Sequence, residues 1–160
     1  MSEWEGLLRL GLAVVFGGII GFERETLNKD AGLRTHMLVT LGAAAFMVGS
    51  VLMVDLANPD GEAGRGDITR IASTIVTGIG FLAGGIIFRG NDKTHGLTTA
   101  AGLWVAASVG LLVGAGFYVT AFGAVLLALF VLVVVHWGEA RLEMKPRRSL
   151  DRDLGSDNDG

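Results

Sequence analysis

Three stretches without a single Asp, Glu, Lys or Arg dominate this chain: Met37–Val54, Ile71–Phe88 and Gly96–Val135. An apolar helix needs roughly 20 residues to cross about 30 Å of hydrocarbon, and 17 or 18 suffice. The first two stretches therefore each predict one span. The third is long enough to cross twice, and its break signal is Gly114-Ala115-Gly116. A further span is predicted at Trp4–Phe22, which contains Glu5 and Arg9 near its outer end. There an arginine can snorkel and Trp4 can sit at the interface. Glu3 and Glu5 stand where a cleaved leader would be basic, and no Ala-x-Ala-like site follows, so the first span is expected to stay. The reading is all-α: a polytopic membrane helix bundle of five transmembrane helices, residues 1–137, followed by a polar tail, 138–160, whose end is expected to be disordered.

Of 160 residues, 51% are hydrophobic, two are proline and 25 are glycine. The glycines follow no Gly-X-Y period and sit among Leu, Ile, Val, Ala and Phe, which excludes collagen and flexible linkers. The absence of cysteine excludes disulfides, thiolate-held metals and thiol catalysis. A net charge of −3 gives no reason to expect a nucleic acid. The placement of charge says more. Five spans put Arg24, Lys29, Arg34, Arg89, Lys93, Arg141, Lys145, Arg147, Arg148 and Arg152 on one side, and Arg9, Arg65 and Arg70 on the other. Ten basic residues against three place the N-terminus outside and the C-terminus in the cytoplasm.

Lipid supplies no hydrophobic drive between helices, so small residues that let backbones touch carry much of the association. Candidates for helix packing are Gly17 and Gly21 in the first span, Gly78, Gly80 and Gly84 in the third, and Gly102 and Gly110 in the fourth. Ser73, Thr77, Gly80 and Gly84 share one face of the third span. An alternative use for Gly80, Gly84 and Gly85 is to leave carbonyls free along an ion path.

The densest polar constellation joins the first two spans. Glu23, Arg24 and Glu25 end one, and Arg34, Thr35 and His36 open the next, with Arg89 as a further neighbour. Either this is an ion-pair network that fixes the loop, or it is a surface for a cation, a lipid headgroup or a protein. Arg70 is expected to snorkel at the outer edge or to pair inward with Asp55. Asp60, Glu62 and Asp67 are hard oxygen ligands of the kind that suit Mg²⁺ or Ca²⁺, but their spacing matches no defined metal loop and a solvated acidic loop is the simpler reading. No nucleophile–base arrangement, phosphate loop or histidine cluster can be assembled. No enzyme activity and no cofactor are expected.

Gly17-Gly18-Ile19-Ile20-Gly21-Phe22-Glu23-Arg24-Glu25 and Ala31-Gly32-Leu33-Arg34-Thr35-His36-Met37-Leu38-Val39 strongly resemble the MgtC/SapB family of bacterial inner-membrane proteins. Arg70-Ile71-Ala72, Gly78-Ile79-Gly80-Phe81-Leu82 and Gly96-Leu97-Thr98-Thr99-Ala100-Ala101-Gly102-Leu103-Trp104 match its later motifs in order. The resemblance covers Leu7 to about Val135. It implies a multi-pass inner-membrane protein tied to growth at low Mg²⁺ and, in pathogens, to virulence. It also implies a regulator that acts on another membrane complex, such as the rotary ATP synthase, rather than carrying Mg²⁺. It places the functional surface at Glu23, Arg24, Glu25, Arg34, Thr35, Arg70, Thr98 and Thr99.

Two departures stand out. Many family members carry a soluble domain after the last helix, where this chain has a short tail, as in SapB-like forms. Leu82-Ala83-Gly84-Gly85 replaces the more usual Leu-Gly-Ala-Gly order. The expected partners are the lipid bilayer and a membrane protein or a second copy of the chain, with magnesium ion kept as a candidate ligand. A small cation transporter or channel is the alternative. Against it, no acidic residue lies deep in any span, and the midplane polar residues are Ser73, Thr74, Thr77, Ser108 and glycine backbone.

Overall fold

The computed structural model describes residues 1–57, 65–89, 94–135 and 137. They form two units, Met1–Leu129 and the residues from Phe130 onward. The first unit is a helix bundle whose helices reverse direction at each connection. Its helices are α1 (Glu3–Thr26), α2 (Leu33–Ala57), α3 (Arg65–Ile86), α4 (Leu97–Ala115) and α5 (Tyr118–Phe130). Of the second unit, the described part is one π-helical turn, Val131–Val135, and Trp137.

Among the described residues, four helices are long and apolar enough to cross a membrane. The fifth expected span is shorter. Its apolar helical stretch runs Tyr118–Val134, about 25 Å long, at the lower limit for crossing. The acidic loop with Asp60 and Glu62, the side chain of Asp67, and the tail 138–160 lie outside the described residues.

Local chemistry sets the helix ends. Ser2 caps α1 by accepting from the Glu5 amide, with Glu3 and Glu5 on the positive end of its dipole. Asn28, at φ +49°, turns the chain out of α1. The cap of α2 comes from across the loop, where a Glu25 carboxylate oxygen accepts from the Leu33 amide at 2.9 Å. Between α4 and α5 the chain turns at Gly116, at φ +91°, a left-handed conformation that side chains resist. The polar Arg89–His95 connection is closed by a small antiparallel ladder, β1 (Phe88–Arg89) with β2 (Thr94–His95), in which Phe88 stacks on His95 at 5.3 Å.

Backbone contact at small residues builds the interior. A Cβ on Gly17 would run into the Thr40 hydroxyl and the His36 carbonyl, and one on Gly21 would lie 2.8 Å from Leu33 Cα. On the other face of α2, a Cβ on Gly110 would collide with the Thr40 carbonyl, and one on Gly114 would lie 2.8 Å from the Ala44 carbonyl. Helix α2 is thus gripped between α1 and α4. Helix α3 packs on them through Ile79, which meets Ala43 and Ala107. Its other small residues behave differently. At Gly78, Gly80, Gly84 and Gly85 a Cβ would meet nothing within 4 Å among the described residues.

Arg9 does not snorkel. Its side chain is 11% exposed and donates to the Gly114 carbonyl at 2.7 Å, at the negative end of α4. It also pairs with Glu5 and lies over the Tyr118 ring. One arginine thereby ties α1 to the α4–α5 turn, because a guanidinium in an apolar span is stabilised by orphan carbonyls at a helix C-terminus.

A candidate functional surface at the Glu23 end

The end of α1, the start of α2 and the start of α4 come together at one end of the bundle, and they divide the expected surface residues into an inner and an outer set. Arg24 is three residues beyond Gly21 on the packed face of α1 and is 2% exposed. Its guanidinium grips the neighbouring Glu23 as a fork, with Nε donating to one carboxylate oxygen at 2.5 Å and Nη2 to the other at 2.7 Å. Glu23 is itself only 12% exposed. This is a buried pair, in which removing one partner strands the other's charge. Thr99, on the first turn of α4, is buried with them.

The outer set lies at the surface. Arg34, Thr35 and Thr98 are exposed, and Arg34 makes no ion pair among the described residues. It stands in the first turn of α2, where the helix dipole disfavours a cation, so local helix stability does not account for it. Glu25 is exposed but committed to capping α2. Arg70 is not brought to this group. It is exposed near the opposite end, on the early part of α3, and Asp55 instead accepts from the Met1 amino group at 2.6 Å.

Sequence reasoning passed over His36 as a site residue. It is fully buried, with Nδ1 2.9 Å from the Gly32 carbonyl. The signal was present in the glycines around it: Gly17 and Gly21 on α1 and Gly102 on α4 all border this one residue.

Two features bear on ions. Among the described residues no group of three His, Cys, Asp or Glu could hold a metal. Three of the midplane hydroxyls are turned back on their own helices: Thr74 donates to Arg70, Thr77 to Ser73, and Ser108 to Val105. A hydroxyl satisfied in this way has less to offer a passing cation. Outside, α2 and α3 diverge to leave an apolar groove of about 650 Å³ that runs from Thr35 past Gly42 to Phe46 and Ile71. Helix α3, the least apolar of the four long helices, is also the least covered, with 11% of its span buried against 56% for α4.

Residues 10–141 match the family model described as MgtC family. The chain is 42% identical over 142 residues to the Escherichia coli K12 protein named "Putative magnesium transporter YhiD", an alignment covering 88% of this chain and 65% of that protein. It is 49% identical over 104 residues to Protein MgtC of Brucella abortus, covering 65% of this chain and 40% of the relative. It is 37% identical over 140 residues to Protein MgtC of Salmonella typhimurium, covering 88% and 56%. The chain thus spans between two fifths and two thirds of the length of these relatives. No solved structure matches it. The ordered motifs, the glycine-packed apolar helices and the matched span agree on one assignment, and this membrane protein belongs to the MgtC family.

Proposed function

We propose that this protein is a non-enzymatic, multi-pass inner-membrane regulator that supports adaptation to low magnesium by binding another membrane complex, with its N-terminus outside and its C-terminus in the cytoplasm. The observation that carries this reading is the contrast between a closed interior and an open exterior. Inside, helix backbones touch at Gly17, Gly21 and Gly110, and the buried Thr40 hydroxyl donates to the His36 carbonyl of its own helix. Coupled cation transport needs a polar, membrane-embedded path, and the packing of α1, α2 and α4 gives it little support. Outside, Arg34, which makes no ion pair among the described residues, exposed Thr35 and Thr98, and the groove between α2 and α3 offer polar and apolar contacts. The resemblance adds the rotary ATP synthase as a candidate partner.

The competing reading, a magnesium transporter, draws on the name carried by the Escherichia coli relative. Purified protein in liposomes separates the two. A regulator leaves Mg²⁺ flux at the level of empty vesicles while a known Mg²⁺ channel raises it in parallel. Flux above that background, abolished by detergent-denatured protein, would replace the regulator with a transporter.

A further inference from the structure

At the Glu23 end two buried polar atoms have no hydrogen-bond partner, Arg24 Nη1 and His36 Nε2. Their residues are 2% and 0% exposed, and buried groups of this kind are almost always paired with protein or with ordered water. The two orphans are opposite in kind. His36 Nδ1 faces the Gly32 carbonyl at 2.9 Å, and a carbonyl only accepts. Nδ1 therefore carries the proton, and the neutral ring presents a lone pair at Nε2. Arg24 Nη1 only donates.

The two residues stand on facing helices, about one helical turn apart in level. A Cβ on Gly21 would lie 3.0 Å from His36 Cβ, and Arg24 is the next residue on that face of α1. Helical side chains lean towards their own N-terminus. Arg24 on α1 therefore leans back towards His36, while His36 on antiparallel α2 leans towards Arg24. On the third side, a Cβ on Gly102 of α4 would meet His36 Nε2 at 3.5 Å and nothing else within 4 Å. Room for at least a methyl group therefore adjoins Nε2.

The occupant must both accept and donate, be small and carry no charge. An anion does not suit, because Glu23 already neutralises Arg24 and a second negative charge would be buried unpaired. A divalent cation does not suit either, with Glu23 and His36 as its only ligands and a guanidinium beside them. We propose that one water molecule occupies this gap, accepting from Arg24 Nη1 and donating to His36 Nε2, and so links α1, α2 and the Gly102 turn of α4. The inference does not depend on the regulatory reading.

The test uses ¹⁵N-histidine protein in lipid bilayers, in a His95→Gln/His136→Gln background that leaves His36 as the one labelled imidazole. Solid-state NMR should show Nε2 unprotonated, hydrogen-bonded and receiving magnetisation from water. Gly102→Ala seats a methyl in the gap without a clash. It should cut the water transfer severalfold and lower the melting temperature by roughly 3 °C or more. Gly102→Ser should keep Nε2 hydrogen-bonded, through its hydroxyl, without the water signal. Absence of water transfer in the wild type, unchanged transfer in Gly102→Ala, or transfer to Nε2 from phosphorus would each overturn the proposal. If Gly102→Ala fails to accumulate, the wild-type spectrum alone decides.

Discussion

Glu23 and Arg34 were grouped by the sequence, and the structure gives them different physical lives. Among the described residues Glu23 is the sole counter-charge of a buried guanidinium, so Glu23→Gln should cost about 3 kcal/mol in a detergent melt. An exposed pair would have cost roughly 0–1 kcal/mol. Loss of growth support in Glu23→Gln would then report instability as readily as function. Arg34 is the cleaner probe, being exposed and unpaired among the described residues. Arg34→Gln should change stability by no more than about 0.5 kcal/mol. Its membrane abundance should match the wild type while complementation of a deletion strain in Mg²⁺-depleted medium falls. Full growth with Arg34→Gln would remove this residue from the working surface.

Among the elements, α4 uses its glycines differently from α2 and α3. A Cβ on Gly110 of α4 would strike the backbone of α2, so Gly110→Ala should destabilise the bundle by about 1–3 kcal/mol. A Cβ on Gly42 of α2 would meet nothing within 4 Å. Gly42→Ala should be neutral or stabilising by up to about 1 kcal/mol, the ordinary gain of removing a helical glycine. Thermal melts of the two variants side by side check the assignment of the packed face. Gly80 of α3 also meets open space within the chain. Gly80→Leu should therefore melt like the wild type yet lose growth support, if the α3 face seats the partner complex. Normal growth would indicate that this face meets lipid. The tie made by Arg9 gives a further prediction: Arg9→Leu should cost about 2 kcal/mol, because it removes a charged hydrogen bond to the Gly114 carbonyl.

At the scale of the whole molecule, the proposed orientation rests on ten basic residues against three. A reporter active only in the periplasm should work when inserted between Gly61 and Gly66 and fail when fused after Arg148. Activity from the second fusion would reverse or break the five-span order.

Hydrocarbon leaves a chain few choices, which is why so much of this protein was legible before its coordinates. Long uncharged runs must be helices, since no water satisfies their backbones, and the spans, the bundle class and the family motifs all followed from the residues. That Glu23, Arg24 and Arg34 lie at the same end of the bundle could be read as well, because it depends only on where helices end. What the residues left open depends on rotation about each helix axis and on side-chain reach across helices. Gly17, Gly21 and Gly110 meet a neighbouring backbone while Gly80 and Gly84 do not, although all five are glycines in apolar helices. Arg24 turns into the bundle and Arg34 out of it. Arg9 reaches a carbonyl 105 residues away, and His36 is enclosed by glycines from two other helices. Such contacts belong to pairs of helices rather than to any one segment, so only the packed tertiary structure decides them.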